Sequence, residues 1–173
     1  MIATPATIRS HAYFNAIKDE NPAVEVYEHA TPALVPMVEA GELTGVVAQA
    51  TVADALAPLV GERDADGESI FPRPAGATID TLLLGCTHYP LIRPLIAEIV
   101  GDSVAIVDSA TATASALVEL LSVNGLEAGE DGRVPSHDQL TTGDPARFAD
   151  VAGRLFGPEF VSVGAVELGA LAR

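Results

Sequence analysis

The sequence contains one cysteine and no tryptophan in 173 residues, and its only lysine is Lys18. A single cysteine excludes an internal disulfide and any zinc site built on several thiolates. Basic residues are scarce as well: nine Lys and Arg stand against 24 Asp and Glu, a net charge of −15. Such a surface repels phosphate backbones and anionic headgroups, so neither nucleic acid nor membrane is expected as a partner. The charge fits an ordinary soluble acidic surface. No charged segment followed by an apolar stretch opens the chain, and no apolar run reaches membrane-spanning length; the expected compartment is the cytoplasm. Lys18 falls near the end of an expected helix with no sign of a buried amine around it, so pyridoxal Schiff-base chemistry is not expected.

Hydrophobic residues make up 49% of the chain, enough for one ordinary domain with a core. The most informative stretch runs from Ile79 to Ile92. Ile79 to Leu84 is a short apolar run that hardly alternates, which predicts a strand buried on both faces. Gly85 ends it, and Pro90 suits the first turn of a helix carrying Leu91, Leu95, Ile96 and Ile99 on one stripe. Cys86, Thr87 and His88 then fall at the carboxyl end of a central strand, ahead of a helix N-terminus. Open α/β sheets bind ligands there, and a helix N-terminus favours an anion such as a thiolate or a carboxylate. A lone cysteine after a strand is also commonly a small buried hydrophobe. Three chemically active side chains in three consecutive residues favour a site, because one turn cannot bury all three without partners.

Around this stretch the pattern predicts an α/β fold with a mainly parallel sheet flanked by helices. Thr4 and Pro5 read as N-cap and first position of a helix whose stripe is Ile8, Ala12, Ala16 and Ile17, stopped by Asn21-Pro22. Val24 to Tyr27 is an expected strand, and 32–40 an expected helix with Leu34, Met37 and Val38 apolar. A further helix is expected over 44–60, with Val47, Ala50, Leu56 and Val60 inward. Residues 61–77 are polar and punctuated by Pro and Gly, which reads as a surface loop. Val104 to Val107 is another buried strand, followed by Asp108-Ser109 on the same sheet edge. Thr111 to Val123 predicts a helix with Leu117, Val118 and Leu121 aligned, ended by Asn124-Gly125. A polar loop holds His137. Gln139 to Thr142 is a short strand, Asp144 caps a last helix with Phe148, Val151, Leu155 and Phe156 inward, and Phe160 to Val163 is the final strand.

Leu84-Gly85-Cys86-Thr87-His88-Tyr89-Pro90-Leu91 resembles the second-half signature of glutamate racemase, in the cofactor-independent aspartate/glutamate racemase superfamily. Aspartate racemases of that superfamily tend to carry an acidic residue where His88 stands. Pro36-Met37-Val38-Glu39-Ala40-Gly41 resembles the family's Pro-x-Val-Glu-x-Gly pattern, and Thr142-Gly143-Asp144-Pro145 with Phe148 resembles its C-terminal segment. Thr4 to Thr7 resembles its Thr-x-x-Thr turn. The resemblance spans the chain except for 61–77, which it marks as an insertion. It implies isomerisation of L-glutamate to D-glutamate for peptidoglycan, with no cofactor. It also implies Cys86 as a proton-transfer base on the L-glutamate face, Thr87 as a substrate-binding group, and His88, paired with Glu39, tuning or relaying the thiol proton. Thr4 and Thr7 become substrate-site candidates, although a helix cap and a turn account for both. Glu39 alternatively is a solvated helix-end residue.

The same resemblance covers only the second part of a racemase. The family's first half supplies an Asp-Ser near its first strand and the first catalytic cysteine in an Ala-Cys-Asn-Thr setting, and neither pattern is found here. Residues 1–109 thus correspond to the second α/β domain, and 110–173 to a segment that normally packs on the first. Racemisation without a cofactor needs a base on one face of Cα and an acid on the other, and this chain has one thiol. Three readings follow: a glutamate racemase or its second half, with the other half on a separate chain or replaced by a homo-oligomer; a non-catalytic fragment; or a cysteine hydrolase using Cys86 and His88. The last is disfavoured because residues two apart rarely reach hydrogen-bonding geometry.

Overall fold

A computed structural model describes residues 1–60, 79–129, 137–160 and 162–170, so the expected 61–77 loop lies outside the described residues. Four parallel strands form the main sheet in the order β2-β1-β3-β4: β1 Ile2–Ala3, β2 His29–Ala30, β3 Thr81–Leu84 and β4 Ala105–Asp108. The expected parallel α/β class is thus present. Ile2 pairs with Leu84, and Leu84 in turn with Asp108, which aligns the carboxyl ends of β1, β3 and β4.

The core lies on one side of this sheet. Ile2, Leu82 and Leu84 pack against α3 (Leu34–Glu39), α4 (Val46–Val60) and α5 (Arg93–Val100). Leu34, Val38, Val52, Leu56, Ile92 and Ile96 have no exposed surface. In α4 the inward residues are Ala48, Val52, Leu56 and Leu59, not the expected Val47 and Ala50; Val47 is 65% exposed. The helix is apolar nearly all round, so its sequence does not mark the buried stripe, and the sheet selects it. β3 is not buried on both faces either. Leu82 and Leu84 are covered, whereas Leu83 is half-buried and Val107 beside it on β4 is 45% exposed.

Local chemistry explains the other departures. The expected first helix is two, α1 (Pro5–Ser10) and α2 (Ala12–Glu20), separated by His11 at φ 51°. The Ser10 hydroxyl donates to Thr7 O at 2.7 Å, and His11 Nδ1 contacts Glu28 at 2.6 Å, so local polar bonds compete with the helical ladder. Val24 to Tyr27 is not a strand, because Lys18 Nζ bonds the Val24 carbonyl and the Met1 amino group bonds that of Tyr27. Pairing with β1 starts two residues later, at His29.

Beyond β4 the chain packs loosely. In α6 (Ser109–Val123) every residue is exposed except Ser109 and Leu121, which are half-buried; Val118 is 64% exposed. β5 (Gln139–Thr141) and β6 (Val163–Ala165) form a separate parallel pair, with α7 (Pro145–Phe156) between them in sequence. Phe160 belongs to a 3₁₀ turn, Pro158–Phe160, instead of the final strand. Asp144 caps α7, accepting from the Ala146 N–H at 2.8 Å. Of the four α7 residues expected inward, Val151 and Leu155 are half-buried, whereas Phe148 and Phe156 are exposed, the latter by 54%. No helix among the described residues is long and apolar enough to cross a membrane.

A one-sided core makes an asymmetric mutational response. Leu56→Ala should cost about 2–5 kcal/mol, whereas Val118→Ala should stay within about 0.5 kcal/mol. Urea unfolding measures both; equal losses would contradict the packing described.

Candidate active site

The site is built where β3 ends. Gly85 donates its N–H to Ile2 O at 2.8 Å, holding the turn against β1. Cys86 follows, half-buried, then exposed Thr87 and half-buried His88. Next comes a 3₁₀ turn, Tyr89–Ile92, and only then α5. The sequence places Pro90 in the first turn of the helix after His88; the α-helix instead begins at Arg93. Pro94 lacks the N–H that would bond Pro90 O, and the Arg93 N–H closes on that carbonyl in 3₁₀ fashion. The helix dipole expected beside the thiol is therefore more distant.

Cys86 Sγ lies 3.7 Å from His88 Nδ1, and His88 Nε2 lies 3.4 Å from Glu39 Oε1. Residues two apart are expected only rarely to reach hydrogen-bonding geometry, and this turn nonetheless brings the imidazole nitrogen to 3.7 Å from the thiol sulfur. The carboxylate of Glu39, at the end of α3, favours the tautomer with its proton on Nε2. That leaves the Nδ1 lone pair facing the thiol proton. Glu39 is half exposed, so its attraction to an imidazolium is screened by water, and orientation is its larger contribution.

A cleft of about 540 Å³ opens beside this line. Glu39, Thr87, His88 and Leu91 form one wall; Asp144, Arg147, Phe148, Val151, Leu155 and Phe156 of the α7 region form the other. Sequence reasoning did not place α7 opposite Glu39 and His88. Arg154 fastens it there: the guanidinium reaches Glu39 O and Ala40 O at 3.5 Å and Asp150 Oδ2 at 2.9 Å. Gly41, at φ 79°, lies against the Arg154 side chain, a conformation that glycine adopts without strain.

Thr4 and Thr7 sit at the carboxyl end of β1, the strand next to the one that carries Cys86. Their hydroxyls lie 3.0 Å apart, and Thr4 Oγ1 accepts from the Thr7 N–H at 3.4 Å, which is the cap-and-turn arrangement. Neither they nor Cys86 line the cleft. Asp108, at the neighbouring strand end, is 3% exposed and already occupied. It accepts from the Thr111 N–H at 2.7 Å and hydroxyl at 3.0 Å, and from Arg93 Nη1 at 2.9 Å. Those bonds, the Thr111 N–H foremost, hold its pKa below the usual aspartate value against the opposing effect of burial. Sequence reasoning also missed a buried pair: Tyr89 OH and Thr31 Oγ1, 2.6 Å apart across 58 residues. Among the described residues no cluster of three His, Cys, Asp or Glu is placed to hold a metal ion.

An open parallel sheet with a thiol, a hydroxyl and an imidazole at the end of an inner strand defines an α/β protein with a ligand-binding carboxyl edge. Comparison with known proteins narrows this class: over most of its length the chain is similar to glutamate racemases. It is 38% identical over 169 residues to the glutamate racemase of Neisseria meningitidis serogroup B, covering 98% of this chain and 56% of that one. It is 36% identical over 152 residues to that of Streptococcus mutans, covering 88% and 52%. Among solved structures, a glutamate racemase isoform of Bacillus anthracis superposes with a TM-score of 0.75 at 34% identity, over 96% of this chain and 56% of its own. The Francisella tularensis glutamate racemase, solved in complex with D-glutamate, gives 0.72 at 30% identity, over 98% and 57%. The chain therefore spans about half the length of the relatives it matches. No family model matches it.

The lowered Asp108 pKa has a testable consequence. A carboxyl group whose pKa is depressed by folding stabilises fully above its unfolded value, near pH 4, and loses that contribution as pH falls through the native one. Asp108→Ala should lower stability by about 1 kcal/mol or more at pH 7 through loss of the α6 cap. The deficit against the native protein should shrink below about pH 4. Urea midpoints from pH 3 to pH 7 check this, and a constant deficit would contradict it.

Proposed function

We propose that this chain carries one of the two acid–base groups of a cofactor-independent glutamate racemase. Cys86 exchanges the Cα proton on the L-glutamate face. His88 takes or returns the thiol proton through Nδ1, and Glu39 holds the imidazole in the required tautomer. Thr87, exposed in the same turn, binds the polar groups of the amino acid, with Thr4 and Thr7 contributing from the adjacent strand end. The observation that carries this reading is the Glu39–His88–Cys86 line, with its 3.4 and 3.7 Å contacts at the sheet's carboxyl edge. The named relatives support the substrate and reaction.

The chemistry needs a second group on the opposite face of Cα. Cys86 is the only thiol, and His88 lies on the Cys86 side. On this reading residues 1–109 form one α/β unit, and 110–173 pack on a complementary first half that supplies the opposing thiol. Exposed Val107, Leu117, Val118, Phe148 and Phe156 support such a covering surface. A homo-oligomer is the less favoured alternative, since each copy carries a charge of −15. The setting of the reaction is cytoplasmic supply of D-glutamate for peptidoglycan. The fragment reading without catalysis differs only in whether a first half exists to join it. A cysteine hydrolase reading has contact between Cys86 and His88 in its favour, but it does not account for the likeness to racemases.

The test is circular dichroism of L-glutamate, with Cα deuterium incorporation in D₂O, for the chain alone and with a supplied first half. Alone, the chain should racemise slower than the joined halves by at least the roughly 10²–10⁴-fold assigned to a positioned acid or base. Joined activity should vanish in Cys86→Ala. Full racemisation by the chain alone, or joined activity that survives Cys86→Ala, would overturn the proposal.

A further inference from the structure

Tyr89 directly follows His88, yet its side chain does not point into the cleft. Its ring is fully buried in the core cluster, and its hydroxyl reaches the other side of β1. There it meets Thr31, 1% exposed, which follows β2. Tyr89 OH lies 2.6 Å from Thr31 Oγ1 and 3.2 Å from Thr31 O. Thr31 Oγ1 donates to Ala3 O at 3.4 Å, and the Thr31 N–H donates to the same carbonyl at 2.9 Å. Each hydroxyl carries one proton, so either can donate in the 2.6 Å contact, and the Tyr89 hydroxyl is within reach of both oxygens of Thr31.

This chain of bonds joins the two halves of the candidate site. Ala3 precedes Thr4, whose hydroxyl starts the Thr4–Thr7 turn. At the other end, the Tyr89 N–H donates to Cys86 O at 3.3 Å, closing the turn that sets the thiol against the imidazole. Burial keeps the phenol protonated, with the Thr31 bond opposing and the nearby Cys86 reinforcing that effect, so Tyr89 remains a donor. Buried hydroxyl pairs cost desolvation unless both are satisfied, and here both are.

We propose that Tyr89, through Thr31, is the positioning residue of the Cys86–His88 pair. It touches no substrate; it fixes the turn so that the imidazole stays in contact with the thiol. The proposal rests on Cys86 and His88 acting together, as argued above, and the test separates the two claims.

The single cysteine makes iodoacetamide labelling a direct readout of Cys86. The rate at pH 7 is measured for the native chain, His88→Gln, Tyr89→Phe and the double variant, with circular dichroism as the check on folding. In the native background His88→Gln should slow labelling by about threefold, and in Tyr89→Phe the same change should have almost no effect, as coupled neighbours behave in a double-mutant cycle. Thr31→Val should abolish the His88 response in the same way, and Thr31→Ser, which keeps the hydroxyl, should restore it. The Thr31 pair decides the matter if Tyr89→Phe fails to fold. A threefold response that persists in Tyr89→Phe or Thr31→Val, or a Thr31→Ser that behaves as Thr31→Val does, would overturn the positioning role while leaving the pair intact. No response to His88→Gln in the native background would remove the pair itself, and the positioning role with it.

Discussion

Gly85 lies so close to β1 that a larger residue would force its neighbours to shift. A Cβ on it would stand 2.8 Å from Met1 Cε, 3.0 Å from Ala3 Cβ and 3.2 Å from Ile2 O. Two of these atoms belong to short or backbone groups with little room to move. The close approach lets the Gly85 N–H reach Ile2 O and ends β3 directly beside β1. The rest of the site depends on that contact. It puts Cys86 at the same level as the Thr4 turn, and the β3–β4 register brings Asp108 alongside. The Cys86 turn then needs fixing in only one further direction, across β1 toward Thr31.

The energetic organisation follows from a sheet covered well on one side. Leu56, Leu82, Leu84, Ile92 and Ile96 pack with α3, α4 and α5, and α3 and the Tyr89 turn are part of that packing. Glu39 and His88 thus project from the best-packed part of the described residues. α6, by contrast, is capped by Asp108 and buries no residue fully. α7 is intermediate: Arg154 and Leu155 attach it near Glu39, while Phe148 and Phe156 remain exposed along the cleft. These apolar side chains stay exposed in a chain that spans about half the length of the relatives it matches.

The central strand and its turn were legible because the signal is local: an apolar run, a glycine, then polar residues and a proline. Caps at Thr4 and Asp144 were legible for the same reason. β2 was misplaced because a two-residue strand, His29–Ala30, carries no hydrophobic pattern, while Val24 to Tyr27 does. The inward face of α4 was misjudged because nearly every face of that helix is apolar. The contact of Glu39 with His88 was suggested only by family resemblance, since nothing in the spacing of 49 positions implies it. Tyr89 and Thr31 gave no signal at all: a hydroxyl pair between distant residues is a property of the packed sheet. The 3₁₀ turn after His88 was in principle readable from Pro94, four residues after Pro90.

The division between a well-packed edge that bears the candidate site and a loosely packed tail is open to direct measurement by amide hydrogen exchange on the isolated chain. Protection should be greatest at Leu82 to Gly85 and in α4 and α5, approaching that of global unfolding. In α6 it should be low, because its amides open without disturbing the core. Strong protection in α6, equal to that of α5, would contradict the account, since it would mean that this chain covers its own tail. Rapid exchange at Leu84 and Gly85 would contradict it from the other side, by removing the well-packed edge on which Cys86 and His88 are placed.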